Sequence, residues 1–152
     1  MIQSQHMIFI ERLRIYRPED AAGIGRLMPY LDESFSDEPI AEDRICSIIE
    51  SKHHDQLVAR QDDLRIVGAA TLSLTIGAGA GYKAYLEDFV TDPETKGVGS
   101  ALWQEMGRWC LERDVDLHFT SRPTRIAAQH FYINRGAEIR NTNAFKKDFR
   151  ED

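Results

Sequence analysis

From Ile8 to Arg17 the chain alternates, with Phe9, Glu11, Leu13 and Ile15 set against Ile10, Arg12, Arg14 and Tyr16. A period of two with β-branched and aromatic residues predicts a strand. Pro18 then opens a helix, where its missing N–H costs nothing and Glu19 and Asp20 favour the positive end of the dipole. Ile24, Leu27, Met28 and Leu31 recur at helical spacing, while Gly23 and Gly25 weaken the helix locally. Asp32 to Ala41 is acidic and irregular, broken by Ser34, Ser36 and Pro39. A second helix is predicted from Glu42 to Lys52, with Ile45, Ile48 and Ile49 on one side.

The middle of the chain reads as three strands. Gln56 to Arg60 turns at Asp62-Asp63 into Leu64 to Ile76, rich in Val, Ile, Leu and Thr. The run Gly77-Ala78-Gly79-Ala80-Gly81 is a flexible connector, too short to link domains. Tyr82 to Thr91 returns as a strand with Tyr85, Leu86, Phe89 and Val90 as its apolar positions. Gly97 opens the longest helix, to Arg113, with Val98, Leu102, Met106, Trp109 and Cys110 forming the apolar stripe. Val115 to Ser121 is a predicted strand and Thr124 to Arg135 a predicted helix, stopped by Gly136. Two short strands, Gly136 to Arg140 and Ala144 to Phe149, complete a mixed α/β chain without repeats.

A length of 152 residues fits one domain, taken as 1–152. Residues 1–6 are expected to be disordered or left over from cloning, with the native start at Met7. A formal charge of −6 and no Lys/Arg-rich stripe argue against nucleic acid as a partner. No apolar run approaches membrane-spanning length, and the start lacks a signal-peptide layout. Cys46 and Cys110 lie in helix-like apolar stretches in no CxxC pattern, as expected of two buried thiols in a reducing, cytoplasmic setting.

Candidate chemistry concentrates in Asp92-Pro93-Glu94-Thr95-Lys96-Gly97-Val98-Gly99-Ser100, between a strand and a helix. Glycines at a helix start let backbone N–H groups approach an anion, and Lys96 adds a positive charge. A Walker A loop is excluded because the lysine precedes the glycines, and a dinucleotide-binding turn fails at Leu102. A tight turn with no ligand would use the same glycines. His53-His54-Asp55 superficially suggests a metal site, but no third ligand is spaced to join it, so no metal is expected.

Two pieces together resemble the GNAT superfamily of N-acetyltransferases. One is Glu87-Asp88-Phe89-Val90-Thr91-Asp92-Pro93 with Gly97-Val98-Gly99-Ser100-Ala101-Leu102. The other runs from Leu117 to Gly136 and carries Arg125, Ala128, Phe131 and Tyr132. The resemblance implies a central, mostly antiparallel sheet of about six to seven strands, splayed at the cofactor strand, with four helices. It implies acetyl-CoA as co-substrate and a small-molecule primary amine as acceptor, and it allows a homodimer. The backbone of Phe89, Val90 and Thr91 would take the pantetheine arm, and Lys96, Gly97, Val98, Gly99 and Ser100 the pyrophosphate. Arg125, Ala128, Phe131 and Tyr132 would flank the thioester, with Tyr132 as general acid. One departure is Glu94, where the family usually has Arg or Gln, in a loop shorter than usual.

Glu87 is the candidate base, acting through a water, although a solvated strand-edge carboxylate would look the same. Strand alternation puts Asp88 on the opposite face, out of that role. Tyr132 is alternatively a core tyrosine, and His118 and His130 are either acceptor-facing or simply packed. The acidic residues Asp32, Glu33, Asp37, Glu38, Glu42 and Asp43 either line an acceptor pocket for a cation or cap helices in solvent. Arg122 and Arg125 suit a substrate anion or the cofactor's phosphates. Two further classes stay open: a non-catalytic acyl-CoA-binding or sensing module, and a protein acetyltransferase acting on Lys or an N-terminus.

Overall fold

A computed structural model describes residues 7–151; the expectation for residues 1–6 lies outside them. The chain divides between Phe119 and Thr120 into two compact units.

The first unit is a sheet with helices on both faces. Its elements are β1 (Phe9–Arg12), α1 (Pro18–Leu31), α2 (Glu42–Glu50), β2 (His54–Arg60), β3 (Ile66–Gly77), β4 (Gly81–Thr91), α3 (Val98–Arg113) and β5 (Leu117–His118). The five strands lie in sequence order. The first three pairings are antiparallel and β4–β5 is parallel. The expected mixed architecture and four helices are therefore present, with α4 (Ile126–Asn134) in the second unit.

Alternation along β2 and β3 sorts the core into two layers. Leu57, Ala59, Ala70 and Leu72 pack with Leu102, Met106 and Trp109 of α3. Val58, Ile66 and Ala69 pack with Ile24, Leu27 and Met28 of α1 and Ile45 of α2. The Gly77–Gly81 connector is a tight hairpin turn, with Gly77 paired to Gly81 and Gly81 at φ 71°. A left-handed φ is open to glycine without steric cost.

Strand count is where the sequence reading needs correction. The described residues contain five strands, and Gly136–Arg140 and Ala144–Phe149 form none. The only regular element there is a 3₁₀ turn, Phe149–Glu151. Gly136–Arg140 alternates and Ala144–Phe149 is bounded by aromatic residues, but a strand also needs a ladder partner, which a local pattern cannot supply. For the same reason the strand expected over Val115–Ser121 shrinks to Leu117–His118, the only residues paired to β4.

Two glycines fix how the helices meet the rest. A Cβ at Gly68 would lie 2.5 Å from Val98 Cγ1 and 2.9 Å from Leu102 Cδ1, so its absence lets the first turn of α3 press onto β3. A Cβ at Gly25 would collide with the Glu38 carbonyl and Pro39 Cα, where the connection after α1 crosses back over that helix. The same crossing is pinned by the Ile40 N–H donating to the Ala21 carbonyl at 3.1 Å. Alanine normally stabilises a helix relative to glycine by about 1 kcal/mol. Gly25→Ala should reverse that sign and destabilise by about 1–3 kcal/mol, because the obstacle is backbone that cannot rotate away. Urea unfolding of the variant checks this.

Candidate active site

β4 is the strand on which the candidate residues converge. Its ladder with β5 covers Ala84↔Leu117 and Tyr85↔His118 only, while its ladder with β3 continues to Gly68↔Thr91. From Leu86 to Thr91 β4 thus runs past the end of its parallel neighbour.

Within that stretch the strand carries a bulge. Ala69 pairs with Val90 and Thr71 with Glu87, so Ala70 faces both Asp88 and Phe89. The extra residue sits in left-handed backbone, with Asp88 at φ 50°. Aspartate is one of the few side chains that tolerates this conformation. The alternation that would put Asp88 on the face opposite Glu87 therefore fails, since a bulge resets the period. Glu87 stands opposite Thr71, and Asp88 lines the same cleft as Thr71. Both carboxylates are exposed.

That cleft has a volume of about 360 Å³ and lies on the α1/α2 side of the sheet. Its sheet floor is Gln56 and Thr71, with the Thr71 hydroxyl donating to Gln56 Oε1 at 2.7 Å. Gln56 is buried, and its amide nitrogen donates to the carbonyls of Leu57 and Ala70, each at 3.2 Å. Of the acidic connection between α1 and α2, Glu38 reaches the lining, and Asp32 instead accepts the Ser34 N–H at 3.0 Å.

After β4 the chain makes a tight turn. The buried Asp92 accepts the Glu94 N–H at 3.0 Å, and its carbonyl accepts the Thr95 N–H at 3.2 Å. Gly97 follows at φ 85° as the N-cap of α3, and the first helical bond runs from the Ala101 N–H to the Gly97 carbonyl. The amides of Val98 and Gly99 precede that bond, at the positive end of the helix dipole. Lys96 is exposed, with no ion-pair partner among the described residues. Gly97, expected to open the helix, is its N-cap, and Val98 is the first helical residue.

In the second unit, Ala128 and Tyr132 share one face of α4 at i,i+4 spacing. Tyr132 is buried, and its ring meets that of Phe131 edge-on at 5.7 Å. Gln129 Nε2 donates to the carbonyls of Arg122 and Pro123, each at 3.0 Å, tying down the approach to the helix. Gly136 at φ 89° ends α4 as expected, followed by the Ala137 N–H returning to the Tyr132 carbonyl. Burial pushes the Tyr132 phenol above its ordinary range, and the Arg125 charge acts in the other direction.

Other candidate groups are taken up structurally. Asp55 is buried and accepts from Trp109 Nε1 and from Arg14, each at 2.7 Å, while His54 Nδ1 bonds Ser51 Oγ. No group of three metal-ligating side chains occurs among the described residues. His118 lies against Tyr85 with ring centroids 5.7 Å apart, and His130 is exposed. Cys110 is buried, but Cys46 is only half-buried, and burial raises both thiols above the usual range. No helix of the described residues is long and apolar enough to cross a membrane.

The sign of the Tyr132 shift sets a pH dependence. A phenol raised in the folded state keeps its stabilising contribution below the unfolded value of about 10 and loses it as pH rises through the higher folded value. Ultraviolet difference titration should therefore show Tyr132→Phe losing a late-titrating phenol. An unchanged late phase would contradict that environment.

The sequence model of the acetyltransferase (GNAT) family matches residues 13–137, which span both units. No curated protein matches the chain. Among solved structures, a transcriptional regulator from Bacillus halodurans C-125 is similar at TM-score 0.79 and 19% identity, covering 94% of this chain and 100% of its own. A Trypanosoma brucei acetyltransferase is similar at TM-score 0.73 and 19% identity, covering 93% and 99%. An aminoglycoside 6′-N-acetyltransferase from Acinetobacter baumannii is similar at 0.71 and 18%, covering 94% and 99%. At such identities the likeness is one of fold. The family match over most of the chain carries the further conclusion: this protein belongs to the GNAT acetyltransferase family.

Proposed function

We propose that the protein is a cytoplasmic N-acetyltransferase that moves the acetyl group of acetyl-CoA onto the primary amine of a small molecule. The observation that carries this reading is the course of the chain around β4. The strand outruns its β5 ladder and then leads, through Gly97, into a helix start where the Val98 and Gly99 amides precede the first helical bond. An extended strand segment suits an arm that hydrogen-bonds like an added strand, and a helix N-terminus suits a pyrophosphate. In this reading Phe89, Val90 and Thr91 take the pantetheine arm, and Lys96 to Ser100 take the diphosphate. The family generally uses acetyl-CoA, and two free cysteines suit a reducing compartment.

The chemistry assigned to the side chains follows from what acetyl transfer requires. The acceptor's ammonium gives a proton to Glu87 through a water, and the neutral nitrogen attacks the thioester carbon. The C–N bond forms, the C–S bond breaks, and the second amine proton passes to solvent as the amide forms. Tyr132 gives its phenolic proton to the departing thiolate and is reprotonated from solvent. A backbone N–H of Phe89 or Val90 serves the oxyanion. The phenol is protonated at neutral pH, as a proton donor must be, while its burial makes it a weaker acid, so the role rests on the family resemblance and not on the shift. Arg125, Ala128 and Phe131 share the helix that carries Tyr132 and belong with it in this reading. A cleft of about 360 Å³ suits a small acceptor better than a protein segment.

A second reading, a module that binds acyl-CoA without turnover, is favoured by one observation. The Asp92 carboxylate occupies the Glu94 amide, which leaves the loop fewer donors for a diphosphate. Release of free thiol from acetyl-CoA in the presence of an amine panel separates the two readings. Under the enzymatic one, Tyr132→Phe should lower kcat at least about tenfold while CoA affinity stays near wild type. Full activity in that variant would remove Tyr132 as the acid. Protection from thermal unfolding by CoA with no amine acetylated would establish the sensor.

A further inference from the structure

The α1/α2-side cleft has a lining that describes its occupant, and the inference drawn from it rests on the reading of this chain as an amine acetyltransferase. Most of its wall is apolar: Ile24 and Met28 from α1, Phe35 and Ile40 from the connection, Ile45 and Ile48 from α2. Its floor offers one polar pair, the buried Gln56 and the half-buried Thr71, already bonded to each other. Ionic groups are few. Asp88 projects from the β4 bulge, Glu38 comes from the connection and Arg44 from α2. Among the described residues the Asp88 carboxylate and the Arg44 guanidinium have no ion-pair or hydrogen-bond partner.

We infer that this cleft selects a monoamine with an apolar body, and that Asp88 is the residue that receives its ammonium. The placement of Asp88 supports the assignment. The bulge inserts it into the strand that bears Glu87, so an ammonium held at Asp88 lies beside the candidate base on the cleft side of the sheet. The apolar wall gains by covering alkyl or aryl surface, and with Ser36, Gln56 and Thr71 already hydrogen-bonded the lining offers few groups to a molecule bearing many hydroxyls. The charged lining is Asp88 and Glu38 against Arg44, so a second ammonium would meet attraction and repulsion together, and the apolar wall, which cannot replace its water, decides against a polycation. The lining therefore points away from aminoglycosides and polyamines, although an aminoglycoside acetyltransferase is among the structurally similar proteins.

The test measures amine binding without acetyl-CoA, so that it stands apart from turnover. The probes are phenethylamine, the neutral isostere 3-phenylpropanol, spermidine and sisomicin, each titrated by calorimetry into the full chain. Asp88→Asn keeps the shape and the tolerance for left-handed backbone, and Asp88→Gly accepts that backbone freely if the amide proves disruptive. Both variants should weaken phenethylamine at least about tenfold and leave 3-phenylpropanol within about twofold of wild type. Arg44→Glu should tighten spermidine by about tenfold through the reversed charge. Undiminished phenethylamine binding in Asp88→Asn, or spermidine or sisomicin binding wild type more tightly than phenethylamine, would overturn the inference. Asp88-dependent binding with no acetylation by the intact protein would leave the cleft assignment standing and remove the enzymatic reading instead.

Discussion

Ala70 of β3 faces two residues of β4, and the left-handed turn of backbone at Asp88 absorbs the surplus. Were β4 regular through these residues, strict alternation would carry Phe89 to the cleft side, while Asp88 and Val90 would turn toward the layer packed on α3. With the bulge, Phe89 packs against the α3 layer and Val90 sits in the α1/α2 layer. Asp88 is left over, lining the cleft. A carboxylate in the core would be costly, so the apolar residues on either side hold the bulge in place. One backbone irregularity thus separates what stabilises the strand from what is free to meet a ligand.

The pieces around β4 owe their positions to close approaches as much as to attraction. α3 can begin where it does because Gly68 leaves room for Val98 and Leu102. The connection that walls the cleft can cross α1 because Gly25 leaves room for Glu38 and Pro39. Dense packing transmits such contacts with little slack. Substitution at either glycine therefore moves an element that borders the proposed site, although neither residue touches a ligand in that reading.

Much of this was legible in the residues. The periodicities located all four helices to within a few residues, and Gly136 stands at the positive φ of a helix stop; the positive φ of Gly81 and Gly97 came from the structure. The motif pairing around Gly97 and Tyr132 indicated the family. Three features were not legible. Alternation read through Asp88 as if the strand were regular, because a bulge depends on register with β3 and not on β4 alone. The pattern of Ala144 to Phe149 resembles a strand but carries no information on whether a partner is present. His53-His54-Asp55 concealed a structural role, since the Trp109 that bonds Asp55 lies far along the chain.

Amide hydrogen exchange with and without CoA tests the proposed binding mode most directly, because it reads the backbone groups themselves. Slowed exchange confined to Phe89–Thr91 and Lys96–Ser100 is the expected result. Unchanged exchange in both segments at saturating CoA, or protection only elsewhere, would contradict the proposal that the end of β4 and the start of α3 hold the acyl donor.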